Sequence, residues 1–181
     1  MPQLNKGGKF VFGLSVVRDD LTIHIPPQAI LEYNAIQDGK VIIFTGSKIT
    51  GGFCVTTYSL LMDSKLRHIL KECPMLKEYQ LSEGEFIKYK GRKYAWLGID
   101  SNGIIKLPQS TLEVLELQSG MELLSIRSSD IAFTMGAKGP LLDYSGSPAH
   151  PGRSSAQPDR ASAHLIRSAV QLMPVADQHT C

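Results

Sequence analysis

Few features mark this chain as chemically specialised. It has three cysteines, one tryptophan and five histidines in 181 residues, and its 19 lysines and arginines nearly balance 17 aspartates and glutamates. A net charge of +2 excludes a surface that is basic all over, although a local cationic patch remains compatible with it. Cys54, Cys73 and Cys181 are odd in number and far apart, with neither metal-ligand spacing nor a disulfide framework. They read as free thiols in a reducing, cytoplasmic setting. No apolar stretch approaches the roughly 18 residues of a membrane span, so no membrane partner is expected. The apolar run at residues 10–17 leads into Arg18, Asp19 and Asp20 rather than a small-residue cleavage site, and reads as a buried strand.

Enzyme constellations are missing as well. The glycines of GGFC (51–54) lack the spacing and the lysine of a phosphate-binding loop and read as a bulge or a close backbone approach. Cys54 has no histidine nearby in sequence and falls in an apolar strand, which suits an inert buried thiol. His24 alternates with Ile23 and Ile25, and His68 sits among Lys65, Arg67 and Lys71; both read as solvated side chains. The string SIRSSDIAFTMGAKGP (125–140) holds Ser128, Ser129 and Asp130, which suit a self-capping turn, and Arg127 with Lys138 leaves an anion contact open. No catalytic residue, metal site or cofactor is expected.

Hydrophobic content of 43% suffices for one core. From Asp143 onward Ser, Pro, Ala and Gly dominate, so the domain should span residues 8–142 and residues 143–181 should form a disordered tail. Within the domain a shift of 81 positions superposes PQAILEYNAIQDG (27–39) on PQSTLEVLELQSG (108–120), with six identities in thirteen. Each copy follows a short alternating segment, LTIHI or GIIKL, and precedes an apolar one, VIIFT or ELLSI. The unit reads as strand, short helix opened by proline and closed at its C-terminus by Gly39 or Gly120, strand, turn, strand. One copy exposes too much apolar surface to stand alone. Repeat one covers about residues 9–54, an insert 55–100, and repeat two 101–142. In the insert, Asp63 and Ser64 predict a helix with Leu66, Ile69 and Leu70 buried and Pro74 ending it. The segment EFIKYKGRKYAWLGI (85–99) alternates and predicts a β-hairpin.

The repeated pattern, clearest in GIIKLPQSTLEVLELQSGMELLSI (103–126) and fainter in LTIHIPPQAILEYNAIQDGKVIIF (21–44), resembles the SpoVT/AbrB family of swapped-hairpin regulators. The resemblance implies a mainly β fold: a duplicated swapped-hairpin barrel closed within one chain, with short helices and a helix-plus-hairpin insert. It also implies a DNA-binding transcriptional regulator with double-stranded DNA as partner. Departures from the family pattern are specific. Where DNA-binding members carry basic residues, this chain has Asp20, Leu21, Asn102 and Gly103, and Gln28, Gln109 and Ser110 follow the prolines. The candidate phosphate contacts are Lys88, Lys90, Arg92 and Lys93 of the hairpin, interleaved with Tyr89, Tyr94 and Trp96, together with Lys40, Lys106 and Arg127. The other reading of the same residues is a non-enzymatic interaction or ligand-sensing module that kept the barrel without DNA binding. Self-association as a homodimer through edge strands stays open.

Overall fold

A computed structural model describes residues 3–4 and 10–139; the expected tail at 143–181 lies outside the described residues. The elements in chain order are β1 (Gln3–Leu4), β2 (Phe10–Val16), β3 (Thr22–His24), α1 (Pro27–Tyr33), β4 (Lys40–Thr45), β5 (Phe53–Thr56), α2 (Tyr58–Met62), a 3-10 turn (Lys65–Arg67), α3 (His68–Glu72), α4 (Pro74–Lys77), β6 (Ile87–Tyr89), β7 (Arg92–Gly98), β8 (Ile104–Lys106), α5 (Gln109–Val114), β9 (Glu122–Arg127) and β10 (Phe133–Gly136). The fold is mainly β, and among the described residues no helix is long and apolar enough to cross a membrane.

The main sheet is antiparallel and runs β1-β2-β9-β10-β5-β4-β7-β6, while β3 and β8 form a separate two-stranded ribbon. Strand, short strand, helix, strand, strand occurs twice, as β2-β3-α1-β4-β5 and as β7-β8-α5-β9-β10. Exchanging β2 with β7, β4 with β9 and β5 with β10 reverses the central six strands onto themselves. β2 thus pairs with β9, and β7 with β4, so each first strand lies against the other unit. The backbone repeats this exchange just beyond those strands. Val17 N–H donates to the Met121 carbonyl at 2.9 Å, and Ile99 N–H to the Gly39 carbonyl at 3.0 Å.

The expected closed barrel does not form. The outer edges of β2 and β7 are occupied by β1 and β6, and the ribbon strands pair with each other at Thr22 to Lys106, Ile23 to Ile105 and His24 to Ile104. Pro26 and Pro108 follow the ribbon strands closely and lack the N–H to extend a ladder. The helix ends also differ from the sequence reading. Helix α1 ends at Asn34, left-handed at φ 51, and α5 at Leu115. Gly39 and Gly120 instead shape the turns that lead into β4 and β9, at φ 64 and 88.

Two cores lie on opposite faces of the sheet. Strand β4 shows why its run is continuously apolar: Val41 and Ile43 enter one core and Ile42 and Phe44 the other. The inner core holds the ribbon residues Ile23 and Ile105, with Tyr33, Leu112 and Phe133. The outer core is covered by the insert through Leu61, Ile69, Leu70 and Leu76. Ser64 caps the 3-10 turn by accepting from Leu66 N–H at 3.0 Å. Pro74 follows the end of α3 and opens α4 at its first turn rather than only stopping a helix. Leu66, expected inside, is 43% exposed, because the 3-10 turn rotates it away from Ile69 and Leu70. Cys54 is a buried free thiol as expected, whereas Cys73 is disulfide-bonded, which corrects the reading of all three cysteines as free.

Two outcomes follow from this pairing. A fragment of residues 85–139 leaves β7 without β4 and β9 without β2, and is expected to give a collapsed amide proton spectrum as a monomer. Good dispersion together with a monomeric sedimentation coefficient contradicts the interdependence. Gly52 has φ 61, and a β-carbon there would stand 2.0 Å from the Met135 carbonyl oxygen; Gly39 has a similar φ with open space around it. Gly39→Ala should therefore cost about 1 kcal/mol for the left-handed backbone alone. Gly52→Ala should cost at least about twice that, because strand β10 must also move. Urea denaturation midpoints compare the two.

Candidate functional site

The hairpin β6–β7 turns through Lys90 and Gly91, both at positive φ (45 and 80), in keeping with a two-residue loop. Its register sets Lys88 directly opposite Lys93, and Tyr89 opposite Arg92. Lys88, Lys90 and Arg92 are exposed and Lys93 is half-buried. The aromatic residues behave otherwise. Tyr89 and Tyr94 are buried in the outer core, and Trp96 donates its indole N–H to the Leu81 carbonyl at 2.8 Å. Stacking of these rings on bases is therefore not available, because strand alternation spends them on packing. The cations are split too. Lys88 and Lys93 share one face of the hairpin, while Arg92, on the face of Tyr89, lies with its guanidinium carbon 5.4 Å from the Phe44 ring. Lys90, at the tip, has its ammonium 5.1 Å from the Tyr89 ring, and its proximity to Tyr89 holds its pKa above the ordinary lysine value.

The three remaining candidates do not join this cluster into one strip. Lys106 is exposed on the ribbon, opposite Thr22. Lys40 is half-buried, 4.4 Å from the Tyr79 ring and 5.5 Å from that of Trp96. Arg127 is the one cation with ion pairs among the described residues: its Nε is 3.0 Å from Glu32 and its Nη2 3.3 Å from Asp130. At the start of the ribbon Asp20 accepts from the Thr22 hydroxyl at 2.6 Å, which, with the Thr22 backbone N–H, holds its carboxyl below the usual value. The turn there needs an acceptor, and it has received an acid where the family pattern has a base.

A second feature was not legible as a site in the sequence. On the outer face of the sheet a cleft of about 440 Å³ opens between the turn that joins β4 to β5 and the turn that joins β9 to β10. Its floor includes Phe44, Cys54, Ile126 and Thr134; Ser47 and Thr50 line one end and Ser128 and Ser129 the other, with Arg92 and Arg127 also lining it. GGFC and SIRSSD, some 75 residues apart in sequence, thus line one cleft from β5 and β9, on either side of β10. Gly51 and Gly52 shape the first turn, both near φ 60, and Gly52 lies against the Met135 carbonyl, so of the two readings it is the close backbone approach that the structure shows. Lys138 does not line the cleft. It follows the far end of β10, whereas Arg127 sits opposite Phe133 at the near end, so the two do not form a joint anion contact. Burial pushes the Cys54 thiol above its ordinary pKa, against smaller opposing effects of the Thr134 hydroxyl, 3.4 Å away, and of Arg92. That thiol is protonated and poorly nucleophilic at neutral pH.

His24 is exposed and its Nε2 lies 2.9 Å from the Asn102 carbonyl, a ribbon contact rather than a ligand. Among the described residues no group of three or more His, Cys, Asp or Glu side chains could hold a metal. No protein-family model matches the chain, and no curated protein matches it.

The turn of Ser128 and Ser129 is tied to helix α1 by Tyr33, whose hydroxyl donates to the Ser129 carbonyl at 2.6 Å. Burial, and then the Glu32 carboxylate, push the Tyr33 phenol up to about 12. An unfolded phenol ionises near 10. The contribution of Tyr33 to stability is therefore complete below pH about 10 and is lost as pH rises toward about 12. Tyr33→Phe should cost about 1 kcal/mol at neutral pH through the lost hydrogen bond, and should flatten the decline in stability over that alkaline window. Chemical denaturation at pH 7 and through the alkaline range measures both; an unchanged alkaline slope contradicts the assignment.

Proposed function

We propose that this chain is a DNA-binding regulator of the AbrB-like swapped-hairpin type, acting without catalysis on double-stranded DNA. The observation that carries the reading is the exchange of first strands between two like units, β2 onto β9 and β7 onto β4. The resemblance implies two interlocking units; here the two units share strands in an open sheet rather than a closed barrel, and that sharing supports the reading. It is a likeness of fold, and function must come from the side chains. These supply Lys88, Lys90 and Lys93 at the end of the hairpin, none of them in an ion pair among the described residues. Two lysines directly opposite each other repel, and a phosphate between them would relieve that repulsion. Lys88 also sits on the edge strand β6, where its charge discourages edge-to-edge pairing of two chains.

The alternative, a non-enzymatic ligand-sensing or interaction module, draws on a different observation. Arg127 is compensated by two carboxylates, Asp20 stands where the family pattern is basic, and Arg92 turns toward the cleft. Few phosphate contacts then remain, and these dominate affinity for DNA.

Salt dependence separates the readings. The intact chain should bind mixed duplex fragments weakly at low salt. Replacing Lys88, Lys90 and Lys93 together by alanine should lower the slope of log K against log salt by up to about 2.7, at about 0.9 per contact. Circular dichroism checks that the fold is retained. Equal slopes remove the hairpin from the interface, and no binding by the unmodified chain at low salt overturns the regulator reading in favour of the alternative.

A further inference from the structure

The outer cleft has the attributes of a preformed site. Its first wall, the turn after β4, is held by Gly51 N–H donating to the Ser47 carbonyl at 2.8 Å and by Gly46 N–H donating to the Gly52 carbonyl at 3.1 Å. The Thr50 carbonyl accepts from both Ala137 and Lys138, each at 2.9 Å. The second wall is held as firmly: Thr56 Oγ1 donates to the Ile131 carbonyl at 2.6 Å and Ser128 Oγ to the Ala132 carbonyl at 2.8 Å. Glycine is required in the first wall, because a β-carbon at Gly46 or Gly52 would run into backbone carbonyls. The volume, about 440 Å³, falls in the range of small-molecule pockets.

The lining divides by chemistry. Phe44, Ile126, Ile131 and Ala132 give an apolar surface, and Leu66, 43% exposed, extends it to the lining of the insert side. Of the two guanidinium groups, that of Arg127 is already matched by Glu32 and Asp130. The Arg92 guanidinium has no carboxylate among the described residues within ion-pair distance and lies over the Phe44 ring. A planar fork of donors beside an apolar floor suits a planar oxyanion on an apolar body.

We propose that this cleft binds a small organic carboxylate, with Arg92 pairing the carboxylate and Phe44, Ile126 and Ile131 receiving the apolar body. The proposal does not depend on DNA binding, and its test contains no DNA.

Sodium benzoate serves as the probe, titrated into the full chain and followed by amide NMR and calorimetry, with inorganic phosphate and benzyl alcohol in parallel. Saturable shifts should appear in the millimolar range or below, largest at Ser47, Thr50, Ser128 and Ser129. Arg92→Gln, an exposed position, should keep the fold by circular dichroism and weaken benzoate by at least about tenfold, as expected for losing a hydrogen bond to a charged group. Ile131→Ser should weaken benzoate while leaving any phosphate binding unchanged. Phosphate binding as tight as benzoate reduces the cleft to general anion attraction and overturns the proposal. So does benzyl alcohol binding as tight as benzoate, an Arg92→Gln variant with unaltered affinity, or the absence of saturable shifts.

Discussion

Backbone pairing between the two units is the constraint on which the remaining structure depends. Neither β2 nor β7 pairs with a main-sheet strand of its own repeated unit: β2 lies on β9 and β7 on β4. An unpaired strand edge in the interior would leave buried donors and acceptors without partners, at a cost comparable to that of a lost hydrogen bond for each group. The units therefore complete one another, and the pairing of β5 with β10 joins their hairpins at the middle of the sheet. Because that junction is antiparallel, the two connecting turns stand at opposite ends of the central strands, and the cleft runs along the outer face between them.

The insert breaks the symmetry of this arrangement. It covers the outer face over β4 and β7 through Leu61, Ile69 and Leu70, whereas Leu14 and Val16 on β2, the counterpart of β7, are 42% and 44% exposed. One half of the outer face is thereby a core and the other is surface. The cleft lies along the boundary, between Leu66 of the insert and the turn after β9. The two chemical features of the molecule are consequently separate. Lysines at the end of the hairpin offer charge with little shape, and the cleft offers shape with one uncompensated guanidinium.

Particular residues show how far the sequence could be read. The duplication was legible because Pro27 and Pro108, and Gly39 and Gly120, punctuate the chain at the same spacing, and the backbone obeys that punctuation. The hairpin was legible because alternation and a Lys-Gly tip are local signals, and Ile87 and Tyr89 are buried as that alternation requires. The closed barrel was misjudged. Closure depends on which strand occupies an outer edge, and that is decided by β1 and β6, each only two or three residues long. The cleft was invisible for a related reason: its two ends come from turns that are distant in sequence, and no local pattern reports that both border one face of the sheet.

Sequence alone therefore determined the repeated unit, the mainly β character, the split of each strand into inward and outward residues and the absence of any metal-ligand spacing. All of these depend on neighbours within a few positions, where side-chain periodicity and backbone sterics act. The exchange of first strands, the burial of Tyr89 and Tyr94 against the insert, the compensation of Arg127 by Glu32 and the orientation of Arg92 over Phe44 were decided by tertiary structure. Each requires groups remote in sequence to be placed together, and only the assembled sheet, in one register, does so.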